Sequence, residues 1–142
     1  MRPRSAKLEL TAVPHASREA RMAARAVLED WSVPTGVVDD ALLVISELVT
    51  NAVRHAGTSS TLELELGQTG AQLRVALADG STAAPRPRRA DRGAEDGRGM
   101  AILAALSDRW GIEPHQSGKR VWWEVDLPSG YTTDRANAVA SA

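Results

Sequence analysis

The chain has 142 residues, is 43% hydrophobic and carries a formal charge of −1 at pH 7, so it can bury one core and has no overall basic balance favouring nucleic acid or an anionic membrane. It contains no cysteine, which excludes disulfides, cysteine-ligated zinc and thiol catalysis. No apolar run reaches the roughly 18 residues of a membrane span, and Met1 to Ser5 lacks the apolar stretch of a secretory signal, so a cytoplasmic protein with no direct contact to membrane or nucleic acid is expected.

Lys7 to Val13 alternates loosely and predicts a short edge strand, ended by Pro14. From Arg18 to Trp31, Ala20, Ala23, Ala24, Val27, Leu28 and Trp31 keep helical spacing, with Ser17 as the N-cap. Ser32 to Gly36 reads as a turn in which Thr35 caps a second helix, Val37 to Ala56, stopped by Gly57 at its C′ position. On this second helix Val38, Ala41, Leu42, Ile45, Leu48, Val49, Ala52, Val53 and Ala56 form one broad apolar face.

The opposite stripe of that helix carries Asp40, Glu47, Asn51 and Arg54, with Thr50 and His55 at its edges, and Glu47 and Asn51 sit one above the other four residues apart. Thr50 and Asn51 are poor helix formers in mid-helix, which suggests selection for something besides helicity. Taken alone, an ordinary amphipathic helix with a wet face is the commoner explanation of such a stripe.

Thr61 to Leu66 and Ala71 to Ala78 alternate with period two about a turn at Gln68 to Gly70, the pattern of a hairpin that Asp79-Gly80 ends. Ser81 to Asp96 has no periodicity and holds Pro85, Pro87 and four arginines, Arg86, Arg88, Arg89 and Arg92; a connection of that length is usually a functional lid or a disordered loop. Gly97-Arg98-Gly99 opens a helix with Met100, Ile102, Leu103 and Leu106 at buried spacing. Trp110 to Pro114 and Arg120 to Leu127 read as two further strands joined through Ser117 to Lys119.

The expected organisation is therefore one domain over residues 1–128 with a lid at about 80–97, followed by a flexible tail at 129–142. Strands and helices do not alternate throughout, so the expected class is α+β: a two-layer α/β sandwich whose mixed, mostly antiparallel sheet carries helices on one face. Gly118-Lys119 has no glycine five residues upstream of Gly118 and no following Ser or Thr, so a Walker-type phosphate loop is absent.

Three pieces read together suggest another route to a nucleotide. Glu47 and Asn51 supply a general base and a hard oxygen ligand suited to Mg²⁺. Asp79 at a strand end can accept from an exocyclic amine, while Gly80 admits a flat ring close to the backbone. Gly97 and Gly99 at a helix start offer free amides and a positive dipole end to phosphate. Each alone is commonplace; their order and spacing are harder to obtain by accident.

Glu47-Leu-Val-Thr-Asn51-Ala-Val-Arg-His55 resembles the N-box of the GHKL ATPase superfamily, which includes gyrase and the histidine-kinase catalytic domain. Asp79-Gly80-Ser81 and Gly97-Arg98-Gly99-Met100 resemble its first and second glycine boxes. Small size and the closing Lys119-Arg-Val-Trp-Trp-Glu-Val run resemble the anti-sigma-factor serine/threonine kinase branch. The likeness extends from about Leu8 to Leu127 and implies the Bergerat ATP-binding fold, with ATP and Mg²⁺ between helices and sheet.

Carried over residue by residue, Glu47 is the base for the attacking serine hydroxyl, Asn51 holds Mg²⁺ and Asp79 binds the adenine amino group. Gly97 and Gly99 hinge the lid and bind phosphates, with Arg98 as a charge partner. The first glycine box has Ser81 where the family pattern has glycine, and Ala83 at a second such place, and the lid is rich in arginine and proline rather than glycine. Arg54, His55 and Lys119 are further candidates for phosphate, although a helix-end polar cap and a solvated turn account for them as well.

The resemblance implies a kinase that phosphorylates a small antagonist protein and sequesters a sigma factor, with a homodimer as the expected assembly. The alternative is a nucleotide-gated protein-binding module without phosphotransfer.

Overall fold

The computed structural model describes residues 3–55, 60–79, 101–116 and 118–128. Five strands are seen: β1 (Arg4–Thr11), β2 (Thr61–Thr69), β3 (Gln72–Asp79), β4 (Arg109–His115) and β5 (Gly118–Asp126). They form one sheet in the order β1-β2-β3-β5-β4, and all four pairings are antiparallel. Two long helices, α1 (Ala16–Asp30) and α2 (Thr35–His55), pack against each other and meet the sheet at β1 and β3 respectively. Residues 101–106 are also helical, tied to β5 by Trp123 Nε1 donating to the Leu106 carbonyl at 3.1 Å.

The α+β class and the helix-covered sheet match the expectation, and the period-two pattern explains why. Register places Leu8, Leu64, Leu77 and Val121 in one row, and Ala6, Leu66, Val75 and Trp123 in the next. Successive side chains alternate between faces, so these rows line the helix side. Leu62, Leu64, Leu73, Val75 and Trp123 are all buried there with Leu28, Ile45 and Val49 of the helices. In α1 the inward stripe is Ala16, Ala20, Ala24 and Leu28. Such small side chains allow α1 to lie close to its neighbours.

Several local expectations are corrected. Ser17 does not cap α1, which begins one residue earlier at Ala16 with His15 at the N-cap and no side-chain capping bond. The Ser17 hydroxyl instead lies 3.2 Å from that of Ser46 on α2. Thr35 is the first residue of α2 rather than its cap, and the Val38 amide donates to the Pro34 carbonyl. The first helix ends in a Schellman arrangement, with Val33 N–H on the Leu28 carbonyl, Ser32 N–H on the Glu29 carbonyl, and Ser32 at φ 61°. Strand β2 continues through Gln68, which is buried and donates to the Gly70 carbonyl, so the turn tightens to Gly70 and Ala71. Gly118 and Lys119 belong to β5 rather than to the turn; Ser117 and the expected helix stop at Ala56 and Gly57 lie outside the described residues.

The outer face of the sheet is held by a ladder of ion pairs. Lys7 reaches Glu65 at 3.6 Å and Arg120 lies 3.9 Å from both Glu65 and Glu113. Arg74 bridges Glu113 at 3.4 Å and Glu124 at 2.9 Å, and Arg109 bridges Glu124 at 2.9 Å and Asp126 at 2.6 Å. Burial alone would push the Glu124 carboxyl up; hydrogen bonds from Arg109 and Arg74 overcome it and hold the group below the usual carboxylate range. Trp122 lies flat on this face, with the Arg74 guanidinium 4.8 Å from its ring centre and Gly111 beneath it.

Two predictions follow from this face. A Cβ added at Gly111 would come within 2.7 Å of the Trp122 ring, so Gly111→Ala should force the ring off its bed and lower stability by about 1–3 kcal/mol in denaturant melts, against little change for Gly36→Ala, where space is open. Because the Glu124 pKa is lowered on folding, its contribution is full above the ordinary value of 4.5 and is lost as pH falls through the lower folded value. Glu124→Gln should therefore cost about 1 kcal/mol at neutral pH, and the gap to wild type should close on acidification; a constant gap down to acid pH would contradict it.

Candidate functional site

The apolar stripe of α2 decides where its polar residues go. Val38, Ala41, Leu42, Val44, Ile45, Leu48 and Val49 are buried, with Ala52 and Val53 packed against the core. Val44, which helical spacing leaves off the apolar face, is buried as well, so α2 is covered more widely than along its sheet side. With that surface turned inward, Glu47 and Asn51 come out one above the other and half-buried. Among the described residues neither side chain makes a hydrogen bond or an ion pair. Neither contributes a buried polar atom without a partner, so water reaches both groups and leaves them open to a ligand.

Asp79 is placed by the sheet. Chain from His55, the last residue of α2, to Thr61, the first of β2, can span at most about 20 Å. Leu62 of β2 then pairs with Asp79, the last residue of β3. By alternation from Leu73, Val75 and Leu77, Asp79 belongs to the helix-facing row, and it is half-buried.

The β3–β5 register, carried one step past Ala78 and Arg120, sets Lys119 opposite Asp79 on that same row. Lys119 is exposed and stands in a strand, not in a solvated turn. The sequence offers Lys119 as a phosphate candidate; strand order, which no local pattern reveals, sets it across from the end of β3. Arg54, exposed, and His55, half-buried, occupy the last turn of α2.

Strand register thus sets Lys119 across from the end of β3 at Asp79, while Asn51 and Glu47 lie one above the other on α2. Gly80, Gly97, Arg98, Gly99 and Met100, together with the lid, lie outside the described residues.

The donor set suits a magnesium triphosphate. Among the described residues no three His, Cys, Asp or Glu side chains cluster as metal ligands. Mg²⁺ keeps several waters and takes few protein oxygens when phosphates are present, and the unspent carboxamide of Asn51 fits that role. Among the described residues no helix is long and apolar enough to cross a membrane.

A family model described as the histidine kinase-like ATPase domain matches residues 10–124. The fold is similar to the crystal structure of the RsbU and RsbW domains of Rv1364c from Mycobacterium tuberculosis, with a TM-score of 0.64 and 20% identity. That match covers 87% of this chain and 32% of the other, so this chain spans about a third of its length; at such identity the likeness speaks for the fold alone. No curated protein matches this sequence significantly. Glu47, Asn51, Asp79 and residues 97–100 fall inside the matched span, and the chain belongs to the histidine kinase-like ATPase domain family.

Proposed function

We propose that the protein binds ATP and Mg²⁺ and acts in the cytoplasm as an anti-sigma-factor-type serine/threonine kinase, phosphorylating a small antagonist protein and sequestering a sigma factor. The observation that carries the proposal is the pair Glu47 and Asn51: half-buried, stacked one turn apart, and without hydrogen-bond or ion-pair partners among the described residues. Binding a nucleotide needs Asn51 and Asp79 but no base, so the carboxylate of Glu47 favours phosphotransfer over binding alone. The RsbW domain in the similar structure supports the sigma-regulatory branch at the level of fold.

When bound, ATP with Mg²⁺ supplies the phosphoryl group, and phosphoryl transfer asks of a protein mainly positioning and charge neutralisation. Asn51 would hold the cation through its carboxamide oxygen, and the cation would neutralise phosphate charge. Asp79 accepts a hydrogen bond from the adenine amine, which a guanine carbonyl cannot give. Glu47 orients the hydroxyl of the incoming serine and takes its proton. The family resemblance adds Gly80 at the adenine, and Gly97, Arg98, Gly99 and Met100 at the phosphates.

Glu47→Ala should leave ATP uptake, measured by calorimetry, within a few-fold of wild type. It should also reduce transfer from labelled ATP to co-purified proteins by roughly a hundredfold or more. Uptake without any transfer by the wild-type protein would favour a nucleotide-gated binding module, and equal loss of uptake and transfer in the variant would remove the base assignment. Asp79→Asn should weaken ATP by about ten- to a hundredfold and blur the choice of ATP over GTP; an unaltered preference would place the adenine contact elsewhere.

A further inference from the structure

The two edges of the sheet differ. At β1 the helix-side residues Ala6, Leu8 and Leu10 pack on the core. At the other edge β4 pairs only with β5 among the described strands, and register with Trp123 and Val121 puts Trp110 and Ile112 on its helix side. Trp110 is 38% and Ile112 51% exposed, two of the four large apolar side chains so exposed among the described residues. An edge strand with an uncovered apolar row offers its backbone and that row to another strand.

The residues of β4 are arranged symmetrically about Gly111. Trp110 and Ile112 flank it on the helix side, and Arg109 and Glu113 flank it on the outer side. The side chains of Arg109 and Glu113 are opposite in charge and each 43% exposed, and with them the ion-pair ladder reaches the edge. A two-fold axis through Gly111, perpendicular to the sheet, would set Trp110 across from the partner's Ile112 and Arg109 across from the partner's Glu113, each pair occurring twice. Aromatic with β-branched and acid with base are favourable pairs directly across an antiparallel ladder. Gly111 brings no side chain to the axis, where the Trp122 ring lies against it.

We propose that β4 is a self-association edge, at which two copies of the chain pair antiparallel about Gly111 into one continuous sheet with the helices of both on the same side. The occupant is a second copy because the edge is complementary to itself in both its apolar and its charged row. Shifting the axis to Ile112 would set Trp110 against the partner's Pro114 and Arg109 against the partner's His115, with no opposite charges facing. It would also bring Pro114, which has no amide hydrogen, into the ladder. With the axis at Gly111 the paired stretch is 109–113, and Pro114 falls beyond it. A contact of one short strand from each copy lies at the small end of specific interfaces, so the dimer is weak and forms as concentration rises. The pairing does not depend on the nucleotide reading.

Sedimentation velocity on the full chain over a range of concentrations tests this, with circular dichroism to show that each protein is folded. Wild type should pass from monomer to dimer as concentration rises. Trp110→Ser with Ile112→Ser should raise the dimer dissociation constant roughly tenfold or more. Met22→Ser with Leu43→Ser, at the other two exposed apolar positions, should leave it within about twofold of wild type. Arg109→Glu and Glu113→Arg, each alone, set like charges opposite one another and should weaken self-association. Mixed in equal amounts, those two proteins should associate with each other, because every charged pair across the axis is then of opposite sign. Where a charge variant fails to fold, the serine pair at Trp110 and Ile112 decides. A wild type monomeric at every concentration, or a dimer that the serine pair at Trp110 and Ile112 leaves intact, would overturn the proposal. So would a dimer lost instead on changing Met22 and Leu43, or folded charge variants that do not associate when mixed.

Discussion

Burial of the apolar surface of α2 is the constraint on which the rest of the structure depends. Seven of its side chains are buried outright, and burying a large aliphatic side chain is worth about 1.5–3 kcal/mol. Glu47 and Asn51 on the opposite stripe are only half-buried and water reaches their polar atoms, so they set no comparable opposing cost. The apolar term therefore fixes the roll of the helix. Glu47 and Asn51 thus stay on the stripe opposite the buried face because packing elsewhere on the same helix holds them there.

The two faces of the sheet solve different problems. On the inner face, rows of Leu, Val and Trp set by the antiparallel register meet the helices and exclude water. On the outer face no second layer of described residues covers the strands, and an ion-pair ladder from Lys7 to Asp126 crosses all five of them. Any one exposed pair would contribute little, but shared partners reduce the ordering each further bond requires. Glu124 and Arg74, the least solvated of these bridging pairs, tie β5 to β3 at the centre. The sheet face spends its arginines on itself, whereas on the helix face Arg18 and Arg21 have no carboxylate partner among the described residues.

Family membership and site geometry support each other at different levels. The family match says which kind of domain the chain is. Its chemistry has to be read from the side chains: Asp79 where β3 ends, Lys119 across from it by register, Asn51 on the helix whose end feeds β2, and Glu47 one turn back. Strand order sets Lys119, which the sequence offers only as a further candidate, across from the end of β3.

What sequence by itself determined was periodic and local. Alternation in Thr61 to Leu66 and Ala71 to Ala78, and the 3.6-residue stripe around Ile45 and Val49, fixed element type, the buried faces and the stacking of Glu47 over Asn51, because each follows from backbone geometry within a single element. Tertiary structure alone decided strand order, with β5 inserted between β3 and β4, the all-antiparallel pairing of the described strands, and the register that sets Lys119 across from the end of β3. It also decided the use of Ser17 as a contact to Ser46 rather than as a cap. Those outcomes depend on which hydrophobic face finds which partner across the core, an energy shared among residues far apart in the chain and therefore invisible to any window along it.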